Sequence, residues 1–465
     1  MIAVGGMEIG VKILWLCNVV LPAVAEQLDM PSTNKEGWIS GLAGVTLEKR
    51  HENNIELAVA FPAPREMLSE GDDICVNTVT VKGSELLCYG FYEDTVNPDR
   101  YETELEGRLG KIVGLFRPDI VHCFGTEYPH TLAMCRVFPQ KDKILLGIQG
   151  LCAVCAGAYF ADMPEKAVNT VTLRDWLKKD SLREQQKKFV NRGAMEIEAV
   201  KLAGNVTGRT QWDRYYTGKW NNNASYYSMN ETLRPEFYGY RWSRNDCQEH
   251  SIFLSQGDYP LKGLHYMLTA LPRIREMYPD VKVYVAGQDL TRFDTLKQKL
   301  KISGYGRYLR RLIKENGIEK QVIFLGKLDS RQMRDQYLKS SLFVCPSSME
   351  NSPNSLGEAM LLGMPCISAD VGGVPSIFSA GKDGISYQGF RVADGEAGNP
   401  GNESRSIENG LEAVSNRLFQ AVVEMWSDLE KMDEFCENAR NHAAKTHDPQ
   451  QNYQKMIGIY SNIMV

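Results

Sequence analysis

No stretch of this chain approaches the roughly 20 consecutive apolar residues that a membrane span requires. The most apolar run near the start, Ile13 to Ala25, comes after Lys12 and is broken at Pro22. It lacks the basic beginning and small-residue cleavage site of a signal peptide, and reads as a first core strand and its loop. Positive charge is also short: the net charge is −5, which argues against a protein that coats nucleic acid. No internal repeat at a solenoid period is visible. No Asp-x-Asp pair offers itself to hold a divalent ion on a diphosphate, so neither a metal nor another cofactor is expected. The cysteines number eleven, and most, such as Cys17, Cys88, Cys123, Cys345 and Cys366, lie inside apolar strand-like runs. An odd set so placed reads as buried thiols in a reducing cytoplasm and excludes a disulfide framework. Cys152 and Cys155 form a lone CxxC with no second pair or histidine partners, and read as packing residues rather than a zinc site.

What remains is a well-mixed globular composition, 43% hydrophobic and 24% charged, in 465 residues. That length is too great for one ordinary core and predicts two domains. Two successive series of strand and helix signals give the pattern of an α/β protein with doubly wound parallel sheets. In the first half, Lys12–Cys17, Ile55–Phe61, Asp119–Cys123, Lys143–Ile148 and Gly204–Gly208 read as strands. Glu102–Phe116 carries Leu105, Leu109, Ile112, Val113 and Phe116 on one helical stripe. In the second half, strands are expected at Ser251–Leu254, Lys282–Ala286, Gln321–Leu325, Leu342–Cys345 and Cys366–Ser368. The polar segment Trp242–His250 reads as the linker, dividing the chain into domains 1–245 and 246–449. The segment Asp394–Glu408 is too polar to bury apolar area and reads as a mobile surface loop.

The most informative stretch is Ser341–Pro375. A buried strand ends at Cys345–Pro346, so the residues after it emerge at the carboxyl edge of a parallel sheet, where ligands of such sheets bind. Ser352 suits an N-cap and Pro353 the first helical position, leaving the amides of Asn354, Ser355 and Leu356 to face an anion such as a phosphate. Two carboxylates frame that helix start, Glu350 before it and Glu358 in its second turn. Carboxylates there are suited to accept hydrogen bonds from sugar hydroxyls rather than to hold the phosphate.

The run from Glu350 to Glu358, together with AMLLGMPCISADVGGVP beyond it, resembles the donor-site signature of glycosyltransferase family 4. Its ENSPNSLGEAM wording is similar to members that build bacterial capsule and lipopolysaccharide glycans. The likeness continues in Ser255–Ile274, Val283–Gln288 and Phe324–Leu328, and more loosely in Pro118–His130 and Gly204–Arg214. The resemblance implies a GT-B fold: two Rossmann-like domains facing across a cleft, a final helix 450–465 returning to the first domain, and retaining transfer. By that similarity Lys262 holds the donor diphosphate, Glu358 the ribose hydroxyls, Glu350 a hydroxyl of the transferred sugar, and the amides after Pro353 its phosphate or hydroxyls. Lys327 and Leu328 contact the base, and a glycine of the Gly257 loop and the amide of Gly37 let backbone approach the donor.

Two departures from the family pattern stand out. Where relatives carry an arginine after the loop glycine, this chain has Asp258, and Arg209 at the mouth of a first-domain strand is the candidate to replace that charge. Where many relatives carry a histidine beside the reacting sugar, this chain has Gln149, which holds a hydroxyl but shuttles no proton. His122 and Glu127 are the remaining acceptor-side candidates, and a packed strand histidine is an equal reading of His122. The segment Arg174–Arg192 holds seven basic residues against three acidic ones, with Trp176, Leu177 and Phe189 interleaved. It reads either as a surface helix touching anionic lipid or as an ordinary solvated helix. The expected partners are a nucleotide-sugar donor and a glycan or lipid-linked acceptor, with no nucleic acid, in the cytoplasm or at the inner face of its membrane. A sugar-nucleotide epimerase or phosphorylase on the same architecture, and a non-catalytic partner subunit, stay open as alternatives.

Overall fold

The computed structural model of the chain describes residues 10–30, 37–81, 83–390 and 410–465. The expected loop Asp394–Glu408, and Lys35 and Glu36 ahead of Gly37, lie outside the described residues. The chain forms two compact units. The first comprises Met1–Ala153, Phe189–Arg234 and His447–Val465, the second Val154–Lys188 and Pro235–Thr446. The excursion 154–188, assigned by sequence to the first domain, thus clusters with the second.

The first unit is built on eight strands: β1 Val11–Cys17, β2 Ile55–Ala63, β3 Ile74–Val81, β4 Ser84–Tyr92, β5 Ile120–Phe124, β6 Ile144–Gly147, β7 Asn205–Gly208 and β8 Ser225–Ser228. Their order is β3-β4-β2-β1-β5-β6-β7-β8. All neighbours are parallel except β3 and β4, which form an antiparallel hairpin. Central strands such as VKILWLC and IVHCF are apolar but for one residue each, because both faces of a parallel sheet are covered. The helix Pro449–Met464 covers one face, burying Tyr453, Met456, Tyr460 and Ile463 in the cluster around Ile13 and Trp15. Its Tyr460 hydroxyl accepts from the Trp15 indole N–H at 2.9 Å, so the buried indole keeps a partner.

The second unit has six strands: β9 Gln248–Leu254, β10 Lys282–Ala286, β11 Val322–Gly326, β12 Ser340–Cys345, β13 Cys366–Asp370 and β14 Ile385–Gln388. All pairings are parallel, in the order β11-β10-β9-β12-β13-β14. Counted within the unit this is the doubly wound order in which strand succession reverses between the first and fourth strands. The reversal lies between β9 and β12.

The strands expected from sequence are present, with ends shifted by at most three residues. The β3–β4 hairpin, β8 and β14 carried no expectation. Arg174–Arg192 is not one helix: Leu173–Lys178 ends at Lys179, which takes φ 49°, and a new helix runs Leu182–Leu202. Thr172 and Asp175 cap the short helix reciprocally, which fixes its start. Much of the basic charge is committed locally, Arg174 to Asp175 and Asp180, Lys188 to Asp180, and Arg192 to the Glu127 carbonyl. The eleven cysteines are free thiols, eight of them buried.

Candidate functional site

In an open parallel sheet the loops leaving the two strands at the reversal diverge and leave a crevice at their carboxyl ends. In the second unit those loops are 255–263, after β9, and 346–353, after β12. They are stitched together: the Ser348 N–H donates to the Leu261 carbonyl at 2.8 Å, and the Ser348 hydroxyl reaches the same oxygen at 3.4 Å. Gly263 takes φ 69° directly against the Pro346 carbonyl, where any side chain would collide. This close approach brings Lys262 to Glu350, Nζ to Oε1 at 2.6 Å, and Ser347 Oγ donates to the same carboxylate oxygen at 2.7 Å. Burial works against the lysine charge, yet the Glu350 carboxylate and the Tyr259 phenol together lift Lys262 above its ordinary range. Gly372, at φ 53°, packs against the Glu350 carbonyl, and Gly373 N–H donates to that carbonyl at 2.9 Å. The Gly372–Gly373 turn is therefore the floor under Glu350.

The helix next to this pair runs Asn354–Leu362, one residue later than expected. Pro353, not Ser352, is the N-cap, with ψ 110° and no side-chain cap. Its carbonyl takes the Leu356 N–H at 3.0 Å in a tight first turn, so Leu356 has no amide to offer an anion. The amides of Asn354 and Ser355, the first two of the helix, have no carbonyl within it. Glu358 is 4% exposed and sits beneath them, 3.5 Å from the Tyr337 hydroxyl, which also donates to the Ser355 carbonyl at 2.9 Å.

Gly257 has a packing reason: a Cβ there would press on Leu264 at 2.7 Å and Val285 at 3.0 Å. Asp258, at the position of the family's arginine, accepts the Gln288 N–H at 3.0 Å and ties this loop to the one after β10. Lys327 and Leu328 come directly after β11, whose last residue Gly326 accepts the Gly287 N–H at 2.9 Å, so all three loops rise from the same sheet edge.

The first unit reverses between β1 and β5, and a hydrogen-bonded pair sits there too. Asn18, directly after β1, donates through Nδ2 to Glu127 Oε2 at 2.8 Å, while Gly150 N–H donates to Oε1 at 3.0 Å. The Asn18 amide oxygen faces His130 Nε2 at 2.9 Å, and His130 Nδ1 meets Glu93 Oε2 at 2.6 Å. Glu127 is thus held by a chain of three further side chains, of which only Glu127 was singled out from sequence. His130 lies in the same PDIVHCFGTEYPH run, and its position at the first turn of a helix after Pro129 was the available signal. Glu93 and Asn18 leave none, because they join only through tertiary contact.

Three further candidates, His122 on β5, Gln149 after β6 and Arg209 after β7, lie in the same unit. Arg209, after β7, is buried and ion-paired with Glu231, and it donates to the Ile148 carbonyl at 3.1 Å and to the Gln149 carbonyl and side chain at 3.4 Å. Burial lowers its pKa to about 10. Its charge is already balanced within its own unit, so it is not the free cation that the sequence suggested. His122 is fully buried, stacked on Phe124, and takes the Tyr460 hydroxyl on Nδ1 at 2.8 Å. Burial pushes its pKa down to about 3. It lines, with Gln149 and Arg209, a hollow of about 20 Å3, room for one water and not for a sugar. His122 is thus packed within its strand, as the packed reading of it expected. Gly37 opens the helix Gly37–Lys49.

Residues 243–396, which contain the Lys262–Glu350 pair and the helix start, match the family described as glycosyl transferases group 1. An uncharacterized glycosyltransferase of Methanocaldococcus jannaschii is 23% identical over 299 residues, 61% of this chain and 65% of that protein. A phosphatidyl-myo-inositol mannosyltransferase of Propionibacterium freudenreichii is 27% identical over 166 residues, 35% of each chain. The chain spans 65%, 44% and 36% of the lengths of the first three curated relatives it matches. Among solved structures, the Anabaena protein HepE in complex with UDP and glucose superposes with a TM-score of 0.57 at 15% identity, covering 97% of this chain and 100% of that one. The fold is GT-B. The group 1 match lies on the second of the two Rossmann-like units and spans its reversal point. No described helix is long and apolar enough to cross a membrane.

Proposed function

We propose that this chain is a retaining glycosyltransferase that moves a sugar from a nucleotide-sugar donor to a glycan or lipid-linked acceptor, without a metal. The observation that carries the reading is the Lys262–Glu350 pair at the β9/β12 reversal, beside two uncommitted helix amides. A donor diphosphate laid over the Asn354 and Ser355 amides meets a positive helix end and a lysine. Those groups stabilise the charge that grows on the leaving phosphate as the sugar–oxygen bond breaks, the step at which electrostatic help counts most. Both bonds to Glu350 fall on Oε1, which leaves Oε2 to a hydroxyl of the transferred sugar. Glu358 takes the ribose hydroxyls, and the loop at Lys327–Leu328 the base. In retaining transfer of this kind the donor phosphate itself accepts the acceptor proton, so the lack of a histidine at Gln149 is no obstacle. Glu127, held between Asn18 and Gly150, is the acceptor-side carboxylate.

UDP in the HepE structure and the inositol lipid in the name of one relative support a nucleotide-sugar donor and a lipid acceptor as the first compounds to try. The test is a thermal-shift panel of UDP, GDP, ADP and CMP sugars, since a ligand that binds only the folded state raises its melting temperature. Donor hydrolysis without acceptor is then measured, with Glu350→Ala as control. One sugar nucleotide should stabilise the protein and be turned over. Stabilisation without any turnover would support a non-catalytic partner subunit instead, and no stabilisation by any of them would reject the donor site.

A further inference from the structure

We infer that the second unit carries a docking face for an anionic phospholipid bilayer, formed by the helices Leu173–Lys178, Leu296–Lys301 and Gly304–Glu315. Its first element is apolar. Trp176 is 69% exposed, Leu177 66% and Leu296 79%, and Leu173 and Leu300 stand out beside them. Large side chains exposed singly are ordinary, but these five occupy two short helices that touch one another.

The face is rigid. Asp175 is buried and closes the capping box with Thr172, and its Oδ2 also accepts the Gly304 N–H at 2.7 Å. Gly304 sits so near the Thr170 carbonyl that an added Cβ would lie 2.7 Å from it. Thr295 and Gln298 form a second capping box at the start of Leu296–Lys301. One buried carboxylate thus pins the helix bearing Trp176 to the helix bearing Arg307, Arg310 and Arg311, and the leucines and tryptophan are presented outward rather than folded in.

The second element is charge. Residues 296–314 contain seven basic residues and no acidic one, in a chain whose net charge is −5. Lys297, Lys299 and Lys301 alternate with the exposed leucines, and Lys178 and Lys179 are exposed next to Leu177. Behind them is an open hollow of about 540 Å3 lined by Arg307, Arg310, Arg311 and Lys314 with Phe293 and Ile302, and with Glu315 as its one acidic residue. Arg310 lies over the Phe293 ring, 4.8 Å from its centroid, and Arg311 approaches Glu315 only at 3.7 Å. Leucine and tryptophan tips ringed by lysines suit the acyl–headgroup boundary, where apolar groups enter and ammonium groups stay at phosphate depth. An arginine-lined hollow behind that ring suits a phosphodiester headgroup. A nucleic acid would match the charge but has no use for the exposed leucines.

This deepens the proposed lipid-linked acceptor by bringing the enzyme to the surface where such an acceptor resides, and it rests on that reading only for its purpose. Binding is therefore measured without donor or acceptor, so that its failure and the failure of the transferase reading are separate events. The full chain is sedimented with phosphatidylcholine vesicles and with phosphatidylcholine–phosphatidylglycerol vesicles at moderate salt. Binding is expected to the mixed vesicles, to fall with added salt, and to be weak on phosphatidylcholine alone. Replacing Lys297, Lys299 and Lys301 together by Gln should weaken partition by about a hundredfold, at about fivefold for each basic residue near the surface. Trp176→Ser with Leu177→Ser should weaken it as well, and Arg310→Gln offers a further variant should either set fold poorly by circular dichroism. Soluble glycerol 3-phosphate should not displace the protein. Equal binding to both vesicle types, unchanged binding by the folded variants, or an apolar patch whose substitution instead abolishes self-association or nucleic-acid binding would overturn the inference.

Discussion

Lys262 and Glu350, 88 residues apart in sequence, share a 2.6 Å ion pair between the two loops that part at the sheet reversal of the second unit. The lysine side chain is 21% exposed and the carboxylate 12%, so the pair is mostly but not wholly shielded from water. Removing one partner leaves the other charged and poorly solvated. Lys262→Met should therefore lower the melting temperature and reduce kcat by roughly a hundredfold or more, the usual cost of losing a group that meets transition-state charge. Lys262→Met combined with Glu350→Gln should recover stability but not turnover. A double variant that regains kcat would make the pair a structural one. The measurements are thermal denaturation and initial rates at saturating donor.

Arg209 tests the opposite case. Its pairing with Glu231 is buried, and its guanidinium otherwise meets the Ile148 and Gln149 carbonyls and the Gln149 side chain of its own unit. Arg209→Met should destabilise by about 3–5 kcal/mol, and adding Glu231→Leu should return a large part of that loss. Turnover of the protein that remains folded should stay near normal. A fall in kcat at unchanged urea midpoint would instead restore a catalytic role for the arginine.

Glu196 makes stability depend on pH. It is fully buried, accepts the Thr126 hydroxyl at 2.7 Å and the Ala153 N–H at 3.0 Å, and burial pushes its carboxyl up to about 8. In the unfolded chain the same carboxyl ionises near its ordinary value, about 4.3. Between those values the folded state binds the extra proton, so this group makes stability fall as pH rises from about 4.3 towards about 8. Glu196→Gln should flatten that part of the profile. Urea midpoints across this range measure it, and an unchanged slope in the variant would assign the pH dependence elsewhere.

Gly372 supports the Glu350 loop through its backbone. At φ 53° against the Glu350 carbonyl, alanine is both strained and crowded. Gly372→Ala should cost about 1–3 kcal/mol and raise the donor KM more than it lowers kcat, because it displaces Glu350 without removing it. An unaltered KM would mean that the loop tolerates the shift.

Metal independence is expected from the same groups. Turnover in EDTA should equal turnover in magnesium or manganese, because a lysine and helix amides take the place of a cation on the diphosphate. Activity that vanishes in EDTA and returns with manganese would remove those groups from the leaving-phosphate role.

Much of this architecture was legible because parallel strands buried on both faces are written as continuous apolar runs, as in ILWLC or LFVC. The elements that went unread are those without that signature. β3 is a half-exposed edge strand, β8 has no buried residue, and β14 is four residues long after a glycine at φ 151°. At the β9/β12 reversal the residue types and their positions along the chain were readable, since Cys345–Pro346 and Pro353 punctuate the sequence locally. Pairing was not. Glu350 read as a carboxylate awaiting a hydroxyl, whereas Lys262 and Ser347 already occupy one of its oxygens. Arg209 read as a cation at a strand mouth because nothing in its neighbourhood announces Glu231, 22 positions on and folded back beside it.

The bond between Trp15 and Tyr460 has a bearing on how the chain is made. Its two ends are synthesised 445 residues apart, an interval of roughly 20 to 90 s at ordinary ribosomal speeds. From Ser228 onward in that interval the first unit has its strands but not the helix that seals them, and an indole N–H waits without its acceptor. The second unit, whose residues lie almost entirely between, has time to fold while the first is still open. The newborn chain therefore presents one finished domain and one greasy sheet to the chaperones that meet it.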